Sequence, residues 1–228
     1  MDPDLRARLA EVDGRIADAA RAAGRGVDDV TRIVVTKFHP ASLVEQLVGL
    51  GIRDVGENRQ QELTAKRAEL GPIDVRWHFI GQAQTNKARA VRAAASVVHS
   101  VDRVRLADAL DIAAGEDDPV LDVLLQVNLT DDHGRGGVEP ADLEALAEHT
   151  AGCRTLRVRG IMAVAPLDAP PAAAFARMRG YSERVRSVVP DADWISAGMT
   201  ADFVEAISAG ATHLRIGSAI TGPRPLRG

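Results

Sequence analysis

Of the 28 basic residues in this 228-residue chain, only three are lysines: Lys37, Lys66 and Lys87. Where arginine is the habitual cation, a lysine raises a chemical question, because its amine can lose a proton and attack a carbonyl carbon. Lys37 follows the apolar run Ile33-Val34-Val35 and so closes the first strand-like segment. An amine held against apolar walls is easier to deprotonate than one in water. Lys66 lies in the charged stretch 58–70 and reads instead as part of a solvated helical face. Near the other end of the chain, Ser196-Ala197-Gly198-Met199-Thr200 and Arg215-Ile216-Gly217-Ser218 each run from a strand-like segment into a helix start. Small residues followed by free helix amides bind phosphate. Gly198 and Gly217 would let the backbone approach it, and Ser196, Thr200 and Ser218 would offer hydroxyls, with Ser196 or Thr200 as helix cap. Arg215 can only donate hydrogen bonds. Against a pyridine nitrogen it would keep that nitrogen unprotonated; otherwise it would pair with Asp202 or Glu205. A nucleophilic amine together with a phosphate cradle is what pyridoxal 5'-phosphate requires.

The elements that must position these residues alternate along the chain. Strand-like runs fall at 31–37, 53–56, 75–81, 96–101, 120–128, 156–164, 193–196 and 213–216, with amphipathic segments at 41–50, 58–70, 84–94, 103–114, 140–150, 172–189 and 200–209. Strands separated by helices pair in parallel, and eight such units can close into a barrel. In such barrels the site lies at the strand ends, with phosphate held after strands seven and eight. An open doubly wound sheet would carry a glycine-rich turn after its first strand, where Lys37-Phe38-His39-Pro40 stands instead. Leu5, Leu9, Val12, Ile16, Ala19, Ala20 and Ala23 recur at helical spacing and stop at Gly24, predicting an extra N-terminal helix over 4–23. The expectation is one α/β domain, a (β/α)8 TIM barrel over about 31–222.

Composition narrows the partners. Hydrophobic residues make up 46% of the chain and aromatics 3%, so the core rests on Val, Leu, Ile and Ala. A net charge of −4 provides no field to replace phosphate counterions, which argues against a nucleic-acid partner. No apolar run reaches the length of a membrane span. Met1-Asp2-Pro3-Asp4 carries acid where a secretion signal carries base, so the cytoplasm is the expected compartment. Cys153, the sole cysteine, excludes an internal disulfide and reads as a small filler without metal-ligand neighbours.

Several segments together resemble a known family. They are Val35-Thr36-Lys37, Gly56-Glu57-Asn58, Trp77-His78-Phe79-Ile80-Gly81, Gln84-Thr85-Asn86-Lys87, His99-Ser100-Val101-Asp102, Gln126-Val127-Asn128, Gly160-Ile161-Met162, Ser196 through Phe203 and Gly210 through Ser218. They look like the pyridoxal phosphate homeostasis proteins, also called the proline synthetase co-transcribed or YggS family, from about Thr31 to Gly222. The resemblance implies a barrel like the N-terminal domain of alanine racemase. It implies pyridoxal 5'-phosphate bound as a Schiff base on Lys37, and a role in buffering or delivering the cofactor without established turnover. It further implies that Asn58 faces the cofactor, that Ser196, Gly198, Met199, Thr200, Gly217 and Ser218 hold its phosphate, and that Arg215 meets the pyridine nitrogen. The sequence departs from the family at Phe38-His39, at Gln82-Ala83 and at Arg135-Gly136-Gly137.

The alternative is a fold-type III enzyme such as an amino-acid racemase, which needs a second acid/base opposite the lysine. The only tyrosine, Tyr181, falls inside a predicted helix; His39, His78 and His133 are the other candidates, with His78 better read as a hydrogen-bonded barrel residue. A Schiff-base aldolase would place its lysine on a later strand, and a regulatory interaction module would show an exposed apolar stripe. The partners expected are the cofactor itself and apo-enzymes that receive it, with the chain acting as a monomer.

Overall fold

The structure, a computed structural model, describes residues 3–130, 136–166 and 170–224. Eight parallel strands close into a barrel in sequence order: β1 (Thr31–Val35), β2 (Asp54–Glu57), β3 (Arg76–Phe79), β4 (Val97–Val101), β5 (Leu121–Gln126), β6 (Leu156–Met162), β7 (Trp194–Ser196) and β8 (His213–Ile216). The (β/α)8 expectation holds. Closure is made by β1 against β8, with Thr31 beside His213, Ile33 beside Arg215 and Val34 beside Ile216.

The helices α1 (Pro3–Ala22), α2 (Ala41–Gly49), α3 (Gln60–Leu70), α4 (Ala88–Ala94), α5 (Val104–Ile112), α6 (Leu143–Ala151), α7 (Pro171–Val188), α8 (Phe203–Ser208) and α9 (Ser218–Thr221) surround the sheet. The N-terminal helix forms as its periodicity dictates: Leu5, Leu9, Val12, Ile16, Ala19 and Ala20 are all buried. It packs on α8 and α9, and Arg8 Nε donates to the Ile220 carbonyl at 2.7 Å. Among the described residues no helix is long and apolar enough to cross a membrane.

Most boundaries differ from the sequence pattern for local reasons. β1 stops at Val35 because the backbone turns at Thr36, where the His39 amide donates to the Thr36 carbonyl at 3.1 Å. α8 begins at Phe203, since the Asp202 carboxylate accepts the Met199 amide at 2.6 Å and holds 199–202 in a turn. The single-turn helix α9 was not anticipated; four residues are too short for a periodic signal.

Two cores result. A large apolar shell fills the space between sheet and helices, while a small cluster of Val97, Leu124 and Met162, with Trp194 against it, lies apart from that shell. Residues two apart on a strand share a face, so His99 accompanies Val97 and Ser196 accompanies Trp194 into the barrel interior. That interior is unusually polar: His78, His99 and Ser196 are fully buried and Arg215 nearly so.

The tightest strand contact is at Gly160, whose φ is +148° and where a Cβ would fall 1.9 Å from the Trp194 carbonyl oxygen. Only glycine fits there. Gly160→Ala is therefore expected to cost on the order of 3 kcal/mol or more, read as a lowered midpoint in urea unfolding. A midpoint equal to that of the unsubstituted protein would mean that β6 and β7 are not packed as described.

Candidate functional site

Lys37 lies two residues beyond β1, on a turn that other elements hold rigidly. The Thr36 amide donates to the Gly56 carbonyl at 3.0 Å, and the Thr36 hydroxyl to Glu57 Oε1 at 2.6 Å. From α3, Lys66 Nζ donates to the Thr36 carbonyl at 2.7 Å and pairs with Glu57 Oε1 at 2.5 Å. The Glu62 carboxylate, one turn earlier on the same helix, accepts the Phe38 amide at 3.0 Å. Phe38 takes φ +70°, a conformation that bulky residues avoid, and these bonds maintain it.

Lys66 thus corrects a sequence expectation. It is a buried cation, not part of a solvated face, because it shares the inward side of α3 with Leu63 and finds the fully buried Glu57. Burial pushes the Glu57 carboxyl above its usual range, opposed by the Lys66 ammonium and the Thr36 hydroxyl; Glu57 Oε2 is buried without a partner among the described residues. The scarcity of lysine, which singled out Lys37, would have singled out Lys66 equally.

The remaining predicted residues sit at the ends of β2, β7 and β8, and barrel closure makes strands 7, 8, 1 and 2 consecutive. Asn58 follows β2, Thr200 lies in the turn after β7, and Gly217-Ser218 follow β8. A Cβ on Gly217 would touch Val35 at 3.7 Å, so the β8 loop stands directly beside the strand that leads to Lys37. The side chains of Asn58, Thr200 and Ser218 make no hydrogen bond among the described residues. A Cβ at position 217 would make ordinary contact with Val35 rather than a clash, and the backbone there takes φ −108° and ψ −102°, outside the main regions for residues with a side chain.

Three predicted residues are placed differently. A Cβ on Gly198 would meet the Ala206 methyl at 2.7 Å and the Phe203 Cα at 3.0 Å, so this glycine admits α8 to the strand end. The Met199 amide is already used by Asp202. Ser196 caps no helix: its hydroxyl, inside the barrel, bonds His99 Nδ1 at 2.9 Å and accepts from Arg215 Nη1 at 2.7 Å. His99, a motif residue without an assigned role in the sequence, is the partner that reasoning from loops missed.

Arg215 also donates from Nη2 to the Ala163 carbonyl at 2.8 Å. Among the described residues it has no carboxylate in ion-pair contact, so the alternative pairing with Asp202 or Glu205 is not made. Burial pushes its guanidinium down to about 10, which leaves it charged at neutral pH. Around the mouth, Lys37, Arg59 and Arg224 all lie near the Phe38 ring, at 5.8, 5.4 and 3.6 Å from its centroid. This concentration of cations favours an anionic ligand.

The candidates for a second acid/base lie elsewhere. His78 is a barrel residue, bonding His99 Nε2 at 2.9 Å and Asp54 Oδ1 at 2.8 Å. Tyr181 lies on α7 with Arg184 5.4 Å from its ring centroid. His39 belongs to the same turn as Lys37; His133 and Arg135 lie outside the described residues. Cys153 does have neighbours: its thiol, His149 and Asp108 offer ligand atoms within 4.8 Å of one another. The His149–Asp108 bond at 2.6 Å already satisfies two of the three, and burial raises the thiol, so this is a surface ion-pair cluster.

The family described as alanine racemase, N-terminal domain, matches residues 14–225. A pyridoxal phosphate homeostasis protein of Pseudomonas aeruginosa is 42% identical over 219 residues, covering 95% of this chain and 94% of that one. The chain belongs to the pyridoxal phosphate homeostasis protein family. Among solved structures, that of PipY from Synechococcus elongatus with pyridoxal phosphate bound is 34% identical, with a TM-score of 0.84 over 96% of this chain and all of the other. Alanine racemase from Corynebacterium glutamicum, at 15% identity and a TM-score of 0.70, shares the fold; this chain covers 63% of its length. In this member of the homeostasis family, the Lys37 turn is set by the buried Lys66–Glu57 pair.

Lys66→Met would leave Glu57 buried and unpaired, at a cost of about 3 kcal/mol near pH 7. With the ammonium gone, desolvation raises the folded-state pKa of Glu57 further above its unfolded value. The variant should therefore regain stability as pH falls and protonates Glu57, and lose it as pH rises. Urea unfolding at pH 5 and pH 7 checks this, and adding Glu57→Gln should remove the pH difference; an equal loss at both pH values would overturn the account.

Proposed function

We propose that this chain binds pyridoxal 5'-phosphate as a Schiff base on Lys37 and serves cofactor homeostasis by buffering and delivering it. The observation that carries the proposal is the convergence of four consecutive strand ends. They bring the Lys37 turn, the unspent side chains of Asn58, Thr200 and Ser218, and the Gly217 backbone beside Val35 to one end of the barrel. Lys37 would hold the cofactor aldehyde through its amine, with release of one water; hydrolysis would reverse this, and attack by a recipient's amine would pass the cofactor on and free the lysine amine. Thr200, Gly217 and Ser218 are the proposed phosphate ligands. Ser196 and Gly198 are better accounted for by Arg215 and by α8 packing, and Met199 would contribute by position rather than by its engaged amide. Asn58 faces the ring, and Arg215 donates to the pyridine nitrogen.

Delivery rather than turnover is supported by where the described candidates for a second acid/base lie. Racemisation requires a proton donor opposite the lysine. Tyr181 is on a peripheral helix, both nitrogens of His78 are engaged inside the barrel, and His39 shares the lysine's own turn. An arginine at the pyridine nitrogen also makes the ring a weak electron sink. The proposed setting is a cytoplasmic monomer with apo-enzymes as recipients.

Borohydride reduction of the cofactor-loaded protein should fix the adduct on Lys37 in peptide maps; an adduct on Lys66 or Lys87, or a protein that takes up no cofactor, would refute the assignment. Incubated with alanine or serine in deuterium oxide, the loaded protein should show negligible exchange at Cα while still reactivating an apo-enzyme. Robust exchange that depends on Lys37 would make it a catalyst.

A further inference from the structure

Arg215 stands at one end of a continuous chain of hydrogen bonds that is buried except at its Asp54 end. Its Nη1 donates to Ser196 Oγ at 2.7 Å; Ser196 Oγ meets His99 Nδ1 at 2.9 Å; His99 Nε2 meets His78 Nδ1 at 2.9 Å; His78 Nε2 meets Asp54 Oδ1 at 2.8 Å. Asp54 is the first residue of β2 and Ser196 the last of β7, so the chain runs the height of the barrel.

The chemistry of its two ends fixes the direction of every link. A guanidinium only donates and a carboxylate only accepts. With both imidazoles neutral, one arrangement satisfies all four contacts: Arg215 to Ser196, Ser196 to His99, His99 to His78, His78 to Asp54. Both histidines are then Nε2–H tautomers. Full burial favours the neutral form of each, and it holds the pKa of His99 well below the usual range. The chain cannot pass a proton to the mouth, because it starts at a donor that does not give one up. What it does is supply a polarised acceptor to a buried cation that lacks a carboxylate of its own.

We propose that Asp54, His78, His99 and Ser196 are positioning residues that, as a one-way hydrogen-bonded chain, hold the Arg215 guanidinium in register for the cofactor ring. This rests on the assignment of Arg215 to the pyridine nitrogen. The carboxylate that ends the chain thus stands at the far end of the barrel, bonded to His78, while Asp202 favours the charged guanidinium without an ion-pair contact.

Long-range proton–nitrogen correlation spectra of the cofactor-free protein at neutral pH should show His78 and His99 as neutral Nε2–H tautomers. In Ser196→Ala, the His99 Nδ1 signal should move to that of a nitrogen without a donor. After loading, the absorption band should shift and the cofactor leave about tenfold faster, the effect of losing one hydrogen bond to a charged group. Ser196→Thr keeps the hydroxyl and should restore the His99 signal and the band. Asp54→Ala, at the opposite end, should move the His99 signal and the band in the same sense. An Nδ1–H tautomer or an imidazolium at either histidine would overturn the chain. The expected tautomers with an unchanged band and release rate in both Ser196→Ala and Asp54→Ala would overturn its positioning role. A wild-type protein that takes up no cofactor would overturn the functional proposal and this role with it, a failure distinguished by the missing colour of the wild type itself.

Discussion

The pairing of β1 with β8 is the constraint on which the rest depends. Residues 31–34 lie beside 213–216, so the two ends of the chain share one barrel wall. Without that seam, the Lys37 turn and the Gly217 loop would lie on opposite edges of an open sheet. Closure leaves neither edge exposed and brings four strand ends together from segments almost two hundred residues apart. The seam is covered in turn: α9 packs on β1, and α1 packs on α8 and α9. The extra N-terminal helix is therefore part of what keeps the mouth assembled, through its apolar face and the Arg8–Ile220 bond.

Two buried cations near that mouth are handled in opposite ways. Lys66 has its counter-ion in direct contact, and Thr36 joins the pair, so charge compensation and the fixing of the Lys37 turn are one arrangement. Arg215 has no adjacent carboxylate, and its partners are a hydroxyl and a backbone carbonyl. Removing one partner of a buried pair is costly, which ties Lys66 and Glu57 to each other. Arg215, by contrast, is held by neutral partners, and Asp202 favours its charge without touching it.

The architecture was legible because two periodicities alternate without ambiguity: β-branched runs such as Ile33-Val34-Val35 and amphipathic stretches such as 4–23. The boundaries were less so. Whether Thr36 continues a strand is decided by Gly56, Glu57 and Lys66, distant in sequence, rather than by its own propensity. Side-chain roles were legible where a residue type is rare, as at Lys37, and misleading where a motif allows two geometries. Ser196 precedes a helix and has a capping side chain, yet as the last residue of a three-residue strand its side chain points inward to His99. Gly198 looks like a phosphate glycine until the position of Ala206 is known. Such assignments turn on tertiary neighbours that spacing does not encode.

The positions of the anions bear on the proposed distinction between holding a cofactor and using it. A carboxylate against a pyridine nitrogen would protonate it and draw electrons into the ring; an arginine there does the reverse. The described carboxylates closest to this machinery are all committed: Glu57 to Lys66 and Thr36, Glu62 to the Phe38 amide, Asp202 to the Met199 amide and Asp54 to His78. Each of these bonds stabilises a turn or a tautomer, and Glu57 keeps one oxygen without a partner among the described residues. The lysine turn is held by four hydrogen bonds from β2 and α3, two of them to carboxylates, with a strained Phe38 among them, so the amine is presented on a fixed backbone. Reversible condensation needs little more than that. A proton taken from a substrate carbon would also need a second group aligned across the ring, and the two interior histidines, His78 and His99, already have both ring nitrogens engaged in hydrogen bonds.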